Sequence, residues 1–199
     1  MGTRRDGLVM HGAVVVVFGV GACATTSTDH LEADDGAPYP VHLVPSVSVP
    51  MREAVAKVEG LLPGTSVDAE LEAHDDGTGE EHPVYGIGVL SYGGVLHEFV
   101  VSARTGEVLS FGMAARAEDW RDAAAFRSAS GQSSRTLAEF VEMAAERSGG
   151  VPIGAEFGNV NGAVCEVDVV VEGSVVQLSF DGWTGVLLDR DDTDDDEEA

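Results

Sequence analysis

Two stretches of this chain spell the same strand–turn–strand phrase, and any fold it adopts must accommodate both. The first is His97-Glu98-Phe99-Val100-Val101-Ser102-Ala103-Arg104-Thr105-Gly106-Glu107-Val108-Leu109. The second is Val176-Gln177-Leu178-Ser179-Phe180-Asp181-Gly182-Trp183-Thr184-Gly185-Val186-Leu187-Leu188. The Thr-Gly pairs fall at 105 and 184, an offset of 79 residues, and in that register Phe99 matches Leu178 and Val101 matches Phe180. His97, Phe99 and Val101 alternate with Glu98, Val100 and Ser102, the period-two pattern of a strand with one buried face. Gly106 stands where the turn most needs positive φ, a conformation glycine adopts without steric cost. A doubled signature of this kind predicts two copies of one module.

The residues before each signature repeat as well. Met51, Ala54, Val55, Val58, Leu61 and Leu62 are spaced as one face of a helix over about 49–61, with Ser48 as cap, Pro50 in the first turn and Pro63-Gly64 as stop. Leu137, Phe140, Val141 and Ala144 form the matching stripe, opened by the capping box Thr136-Leu137-Ala138-Glu139 and closed by Gly149-Gly150. An amphipathic strand follows each helix. Val67, Ala69, Leu71 and Ala73 alternate with Asp68, Glu70 and Glu72. Val151, Ile153, Ala155 and Phe157 do the same in the second copy, and Cys165, Val167, Val169 and Val171 alternate with Glu166, Asp168 and Glu172. A strand over 84–92 turns at Gly93-Gly94 into the first signature. Its Gly86 and Gly88 leave bare patches that suit close helix approach or a bend in the sheet. The first copy is longer because its loop from His74 to Pro83 is longer.

The N-terminus reads as an export signal over residues 1–22. Arg4 and Arg5 precede an apolar run from Leu8 to Val20 that is too short for a comfortable membrane span. Val20-Gly21-Ala22-Cys23 has the form of a bacterial lipobox, which predicts lipidation at Cys23 and a membrane connection through lipid only. Ala24 after the cysteine, rather than Asp, points to the outer membrane if the host has two membranes. Otherwise the anchor would hold the outer face of the cell membrane. Residues 23–46 then read as a disordered tether rich in small polar residues and proline. The expected organisation is 47–111 as the first repeat, 112–132 as a linker with a helix over Ala114 to Phe126, 133–190 as the second repeat, and 191–199 as an acidic disordered tail. The formal charge of −24 across 199 residues argues against nucleic acid, whose binding needs clustered Lys and Arg. It favours solubility, a divalent-cation atmosphere or a basic partner.

A helix closed near Pro-Gly, an amphipathic strand, a hairpin and a strand ending in Asp-x-x-Thr-Gly-x-x-Leu resembles the PepSY domain family. Asp181, Thr184, Gly185 and Leu188 carry that ending whole. The first copy keeps Thr105 and Gly106 but has Ser102 in place of the Asp. The resemblance covers roughly 48–111 and 133–190. It implies an α+β fold in which each repeat packs one helix on a curved antiparallel sheet. It also implies a binding module rather than an enzyme, with a protein or peptide partner at the cell envelope and, most specifically, regulation of a secreted peptidase. The alternative role is a structural or assembly lipoprotein of the outer membrane.

No serine triad order, phosphate loop or metalloprotease helix is present in the sequence, and no catalytic residue or cofactor is assigned. His74, Asp76, Glu80 and His82 are the nearest approach to a metal set, but their loop lacks ordered ligand spacing, and no metal is assigned. Cys165 is expected to be a buried structural thiol. The wet faces of the strands place Glu70 and Glu72 in one copy and Glu166 and Asp168 in the other where a partner would meet the sheet.

Overall fold

The two apolar stripes form the helices α1 (Met51–Leu61) and α2 (Leu137–Ser148). A computed structural model describes residues 39–75, 77, 79–114, 127–159 and 163–192. Met51, Ala54, Val55 and Val58 are buried on α1, and Leu137, Phe140, Val141 and Ala144 on α2. These are the same four positions of each helix. Leu61 lies beyond the packed stripe and is exposed. The helices differ at their starts. On α2 the Thr136 hydroxyl accepts from the Glu139 backbone N–H, while the Glu139 carboxylate accepts from the Thr136 N–H at 2.7 Å, completing the capping box. Gly149 closes α2 in the left-handed conformation. On α1 the N-cap is Pro50, with no side-chain cap, so the expected Ser48 cap does not form. Ser48 sits too early, because its N–H and that of Val49 both donate to the Ala103 carbonyl at 2.9 Å. The chain is pinned to the signature turn before the helix begins.

Eight strands alternate as the sequence pattern requires: β1 (Gly64–Asp75), β2 (Glu81–Ser91), β3 (Leu96–Ser102), β4 (Val108–Met113), β5 (Val151–Asn159), β6 (Ala163–Val171), β7 (Ser174–Asp181) and β8 (Leu187–Asp192). They form one antiparallel sheet in the order β4-β3-β2-β1-β5-β6-β7-β8. The α+β fold is as expected, but the two sheets are fused. β1 and β5, the opening strands of the two halves, pair through Asp68–Glu156, Ala69–Ala155 and Glu70–Gly154. The opening strands are therefore central, and the outer edges are β4 and β8. One apolar core runs beneath both helices and includes Leu71, Tyr85, Ile87, Phe99, Phe140, Ile153, Phe157, Cys165, Leu178 and Phe180. Val67, Leu90, Leu96 and Ala114 form a smaller cluster.

Several boundaries differ from those read off the sequence. Within the expected tether, Val41–Ser46 form a 3₁₀ helix whose Leu43 is buried. Apolar burial of Leu43, Val41 and Val44 outweighs the chain-breaking effect of Pro45. The loop expected over 74–83 is shorter, because His74 pairs with His82 and Asp75 with Glu81 in the β1–β2 ladder. Residues 127–132, expected to continue the linker, are helical with Ala129 buried. β4 extends to Met113, into the expected linker, and β8 reaches Asp192, into the expected tail. The signal segment, Cys23, the tether before residue 39, Asp76, the helix expected over 115–126, the Asn161-Gly162 turn and the tail beyond 192 lie outside the described residues.

Candidate functional site

The two signature turns have the same architecture. Gly106 and Gly185 each have φ of 70°. The Gly106 N–H donates to the Ser102 carbonyl at 2.8 Å, and the Gly185 N–H to the Asp181 carbonyl at 2.7 Å. The Thr105 and Thr184 hydroxyls each accept from the second residue onward at 3.3 Å. The residue at which the copies differ does the same work with different strength. Ser102 Oγ accepts from the Thr105 N–H at 3.2 Å, whereas Asp181 Oδ1 accepts from both the N–H and the hydroxyl of Thr184 at 2.6 Å. Those bonds hold the Asp181 carboxyl below its ordinary pKa. Each turn also receives the chain leading into its helix: Ala103 accepts from Ser48 and Val49, and Gly182 accepts from Ser134. The signature residues are thus fastenings between the sheet and the helix.

Pairing brings the acidic groups together on the sheet face opposite the helices, because directly paired residues share a face. One rung crosses all eight strands as Gly112, Glu98, Gly88, Asp68, Glu156, Glu166, Ser179 and Asp189. The next reads Ser110, Val100, Gly86, Glu70, Gly154, Asp168, Gln177 and Asp191. Glu72 stands one rung further, in line with Val84 and Ser102. Glu70, Glu72, Glu166 and Asp168, assigned from sequence to two separate wet faces, therefore belong to one continuous acidic surface. The glycines of β2 make room for it. A side chain at Gly86 would strike the Glu72 carboxylate, and one at Gly88 would strike that of Asp68. Asp68 Oδ1 accepts from the Gly88 N–H at 2.6 Å. Gly86 and Gly88 thus make room for the acidic face rather than for a close helix, one of the two roles their sequence suggested.

This crowding has an electrostatic cost. Burial, then Glu156, Glu98 and Glu70, push the Asp68 carboxyl up to about 6 against one backbone hydrogen bond that opposes it. Burial, then Glu70, Glu98 and Asp68, push Glu72 up to about 7. Glu70 is raised by burial and by Asp168. Tyr39 donates its hydroxyl to Asp168 Oδ2, and burial together with that bond holds the phenol protonated well above its usual range. Gln177 Nε2 donates to Asp168 Oδ1 at 3.2 Å. The signal for Glu156 was readable, since it alternates with Ala155 and Phe157. The bond from Tyr39 was not, because it joins residues far apart in the chain.

Among the described residues no group of three or more His, Cys, Asp and Glu is placed to hold a metal ion. His74 and His82 are held as ladder partners, and Glu80 begins the approach to β2. Cys165 is buried, and its thiol is raised well above its ordinary pKa by burial and by Glu156 and Glu166. That environment disfavours the thiolate a nucleophile needs. No described helix is long and apolar enough to cross a membrane. On the helix side an open cavity of about 440 Å³ is lined by Val44, Val47, Met51, Val141 and Val151. The Arg52–Glu142 ion pair, at 2.7 Å, stands at its margin.

Residues 48–111 match the family model PepSY, described as "Peptidase propeptide and YPEB domain". This stretch is the part of the chain that resembles the family. It takes in α1 and β1 to β3 with most of β4, and it ends beyond its signature turn. A comparison with curated proteins found no match of significance. Among solved structures, the chain is similar to a Clostridium difficile protein whose crystal structure is described as that of a "putative lipoprotein". The two share 16% identity, over 72% of this chain and 92% of that one, with a TM-score of 0.43. C-terminal to the matched stretch, α2 and β5 to β8 repeat its order of elements.

Proposed function

We propose that this chain is a lipid-anchored, non-catalytic protein of the cell envelope that binds a basic protein or peptide partner. In this reading its PepSY domain and the C-terminal half, a second PepSY-like module, bind through one shared acidic face. The observation that carries it is the alignment of carboxylates from both halves on adjacent rungs of one sheet. These groups do not stabilise the fold in their charged form: burial and mutual repulsion raise Asp68, Glu70 and Glu72. A cationic partner relieves that repulsion and is steered to the face by it. The PepSY family description, a peptidase propeptide domain, makes a secreted peptidase the most specific candidate partner. Anchoring rests on Val20-Gly21-Ala22-Cys23, and a Cys23→Ser protein is expected in the soluble envelope fraction.

The test of binding is cross-linked capture from host envelope extract at low and high salt. It compares the natural chain with a Glu70→Gln, Glu72→Gln, Glu166→Gln variant, which leaves the Tyr39–Asp168 bond in place. The proposal expects proteins captured at low salt to be lost both at several hundred millimolar salt and with the variant, because screening then acts within a few ångströms. Recovery of the same proteins by the variant would show that the acidic face only solvates the sheet.

A further inference from the structure

We propose that β4 is a docking edge for a β-strand supplied by a partner protein, one with alternating apolar residues and basic flanks. The inference does not depend on the acidic-face reading, because it rests on a contrast between the two edges of the sheet. β4 and β8 each follow a signature turn and, among the described residues, each pairs only with the strand before it. Each has a register shift at the same point, at Leu109 and at Leu188. From there Ser110, Phe111, Gly112 and Met113 occupy the positions that are Asp189, Arg190, Asp191 and Asp192 in β8. Rows of charge are how natural sheets blunt an edge against added strands, and β8 has one. β4 has no charged residue over its whole length.

The side chains of β4 are also open. Leu109 is 48% exposed, Phe111 56% and Met113 68%. Phe111 packs on Phe99 with ring centroids 4.6 Å apart and stacks on His97 at 5.5 Å. The apolar helix-side face of the sheet therefore continues to this rim and stops there. A strand laid along β4 would extend that face, with backbone hydrogen bonds giving affinity and alternate side chains giving selectivity. Charge selects the occupant. The chain carries −24, and Glu98 stands across from Gly112 of β4. A second copy is therefore repelled and a basic segment attracted.

The probe is a fluorescent synthetic peptide in which alternating valine and threonine are flanked by lysine pairs, titrated against the full chain in detergent. A matched peptide, N-methylated at every residue of the alternating stretch, has the same charge but offers no backbone N–H on either edge and cannot complete a ladder. The expected result is binding of the first peptide at least tenfold tighter than the second, with new hydrogen-exchange protection at β4 amides. Transplanting the β8 row as S110D/F111R/G112D/M113D should weaken binding at least tenfold. That variant is more acidic than the natural chain, so general attraction of a basic peptide would predict the opposite. Phe111→Arg alone should give a smaller loss in the same direction and covers failure of the fourfold variant to fold. Removing the row from β8, as D189S/R190F/D191G/D192M, should create a second peptide site. Equal binding of the two peptides, or unchanged affinity in the Phe111→Arg chain, would overturn the proposal. So would protection, in the free chain, of those β4 amides that face away from β3, whether in the monomer, from its own residues, or in a concentration-dependent dimer, from a second copy.

Discussion

The two halves of the sheet share a frame but place their charges differently. In the PepSY half, the rung through the signature turn reads Glu72, Val84, Ser102. In the C-terminal half, the corresponding rung reads Gly158, Val164, Asp181. The first puts its carboxylate on the opening strand and a hydroxyl in the turn; the second puts a glycine on the opening strand and the carboxylate in the turn. The consequences are opposite in sign. Asp181 is held below its ordinary pKa by hydrogen bonds, while Glu72 is raised to about 7 by burial and by its acidic neighbours. The C-terminal half also has the capping box, the left-handed Gly149 and the charged edge, none of which the PepSY half matches in kind. The difference separates a half whose turn carboxylate is held towards its charged form from one whose strand carboxylates are pushed towards the neutral form by burial and by their neighbours.

The largest expected effect tests whether the halves are separate at all. Val55→Asp on α1 or Phe140→Asp on α2 buries an unpaired charge in the single core, at a cost of several kcal/mol. Because β1 and β5 pair, each substitution should abolish one cooperative thermal transition for the whole described unit. Two transitions, one lost with each variant, would show that the halves fold apart despite the shared sheet.

Next in size is the pH dependence of stability. Carboxyls raised in the folded state favour their neutral form there, so the folded protein binds more protons than the unfolded chain. Their stabilising effect is full below about pH 4, where the unfolded carboxyls also protonate, and is lost as pH rises through about 6 for Asp68 and about 7 for Glu72. Tm should therefore be higher at pH 5 than at pH 8, by roughly 5 °C for a unit of this size. An Asp68→Asn, Glu72→Gln chain should be stabilised at pH 8 and should flatten the profile. A Tm that rises towards pH 8 would contradict the assignment.

A smaller effect contrasts the two helix starts. Thr136→Ala removes a formed cap and should cost about 1 kcal/mol. Ser48→Ala removes no cap, since the contact that pins it is made by its backbone, and should leave the urea midpoint unchanged. Equal losses would mean that both serine and threonine cap.

What could be read from the sequence divides along the same physical line. The stripes of α1 and α2, the capping box, the turns at Gly106 and Gly185 and the buried side of Cys165 depend on residues near one another in the chain, and their spacing records them. The fusion of β1 to β5 leaves no such trace, because an alternating strand specifies which face is buried but not which strand lies beside it. For the same reason the wet-face residues Glu70 and Glu166 were legible singly, while the rungs that join them were not. The Tyr39–Asp168 bond and the burial of Leu43 ordered a stretch whose proline and polar composition reads as tether. Composition records local freedom and does not record distant partners.

The smallest effect tests why the PepSY half departs from the family ending at Ser102. Ser102→Asp should gain what Asp181 has, stronger acceptance from the N–H and hydroxyl of the turn threonine. It would also set a second carboxylate two strands from Glu72, about 10 Å away at ordinary strand spacing. Glu72 already resists ionisation, so the new charge at neutral pH would offset much of the gain. In the natural background Ser102→Asp should therefore change stability little. In a Glu72→Gln background the repulsion is absent, and the same substitution should stabilise. The coupling read from the double-mutant cycle should be about 0.5 kcal/mol and should shrink at high salt. Additive effects at pH 8 and low salt would show that the two positions do not sense each other, and that the serine has a reason unrelated to Glu72. A coupling that appears at pH 8 and fades below pH 6, where Glu72 is neutral, would tie the departure at Ser102 to the acidic face itself.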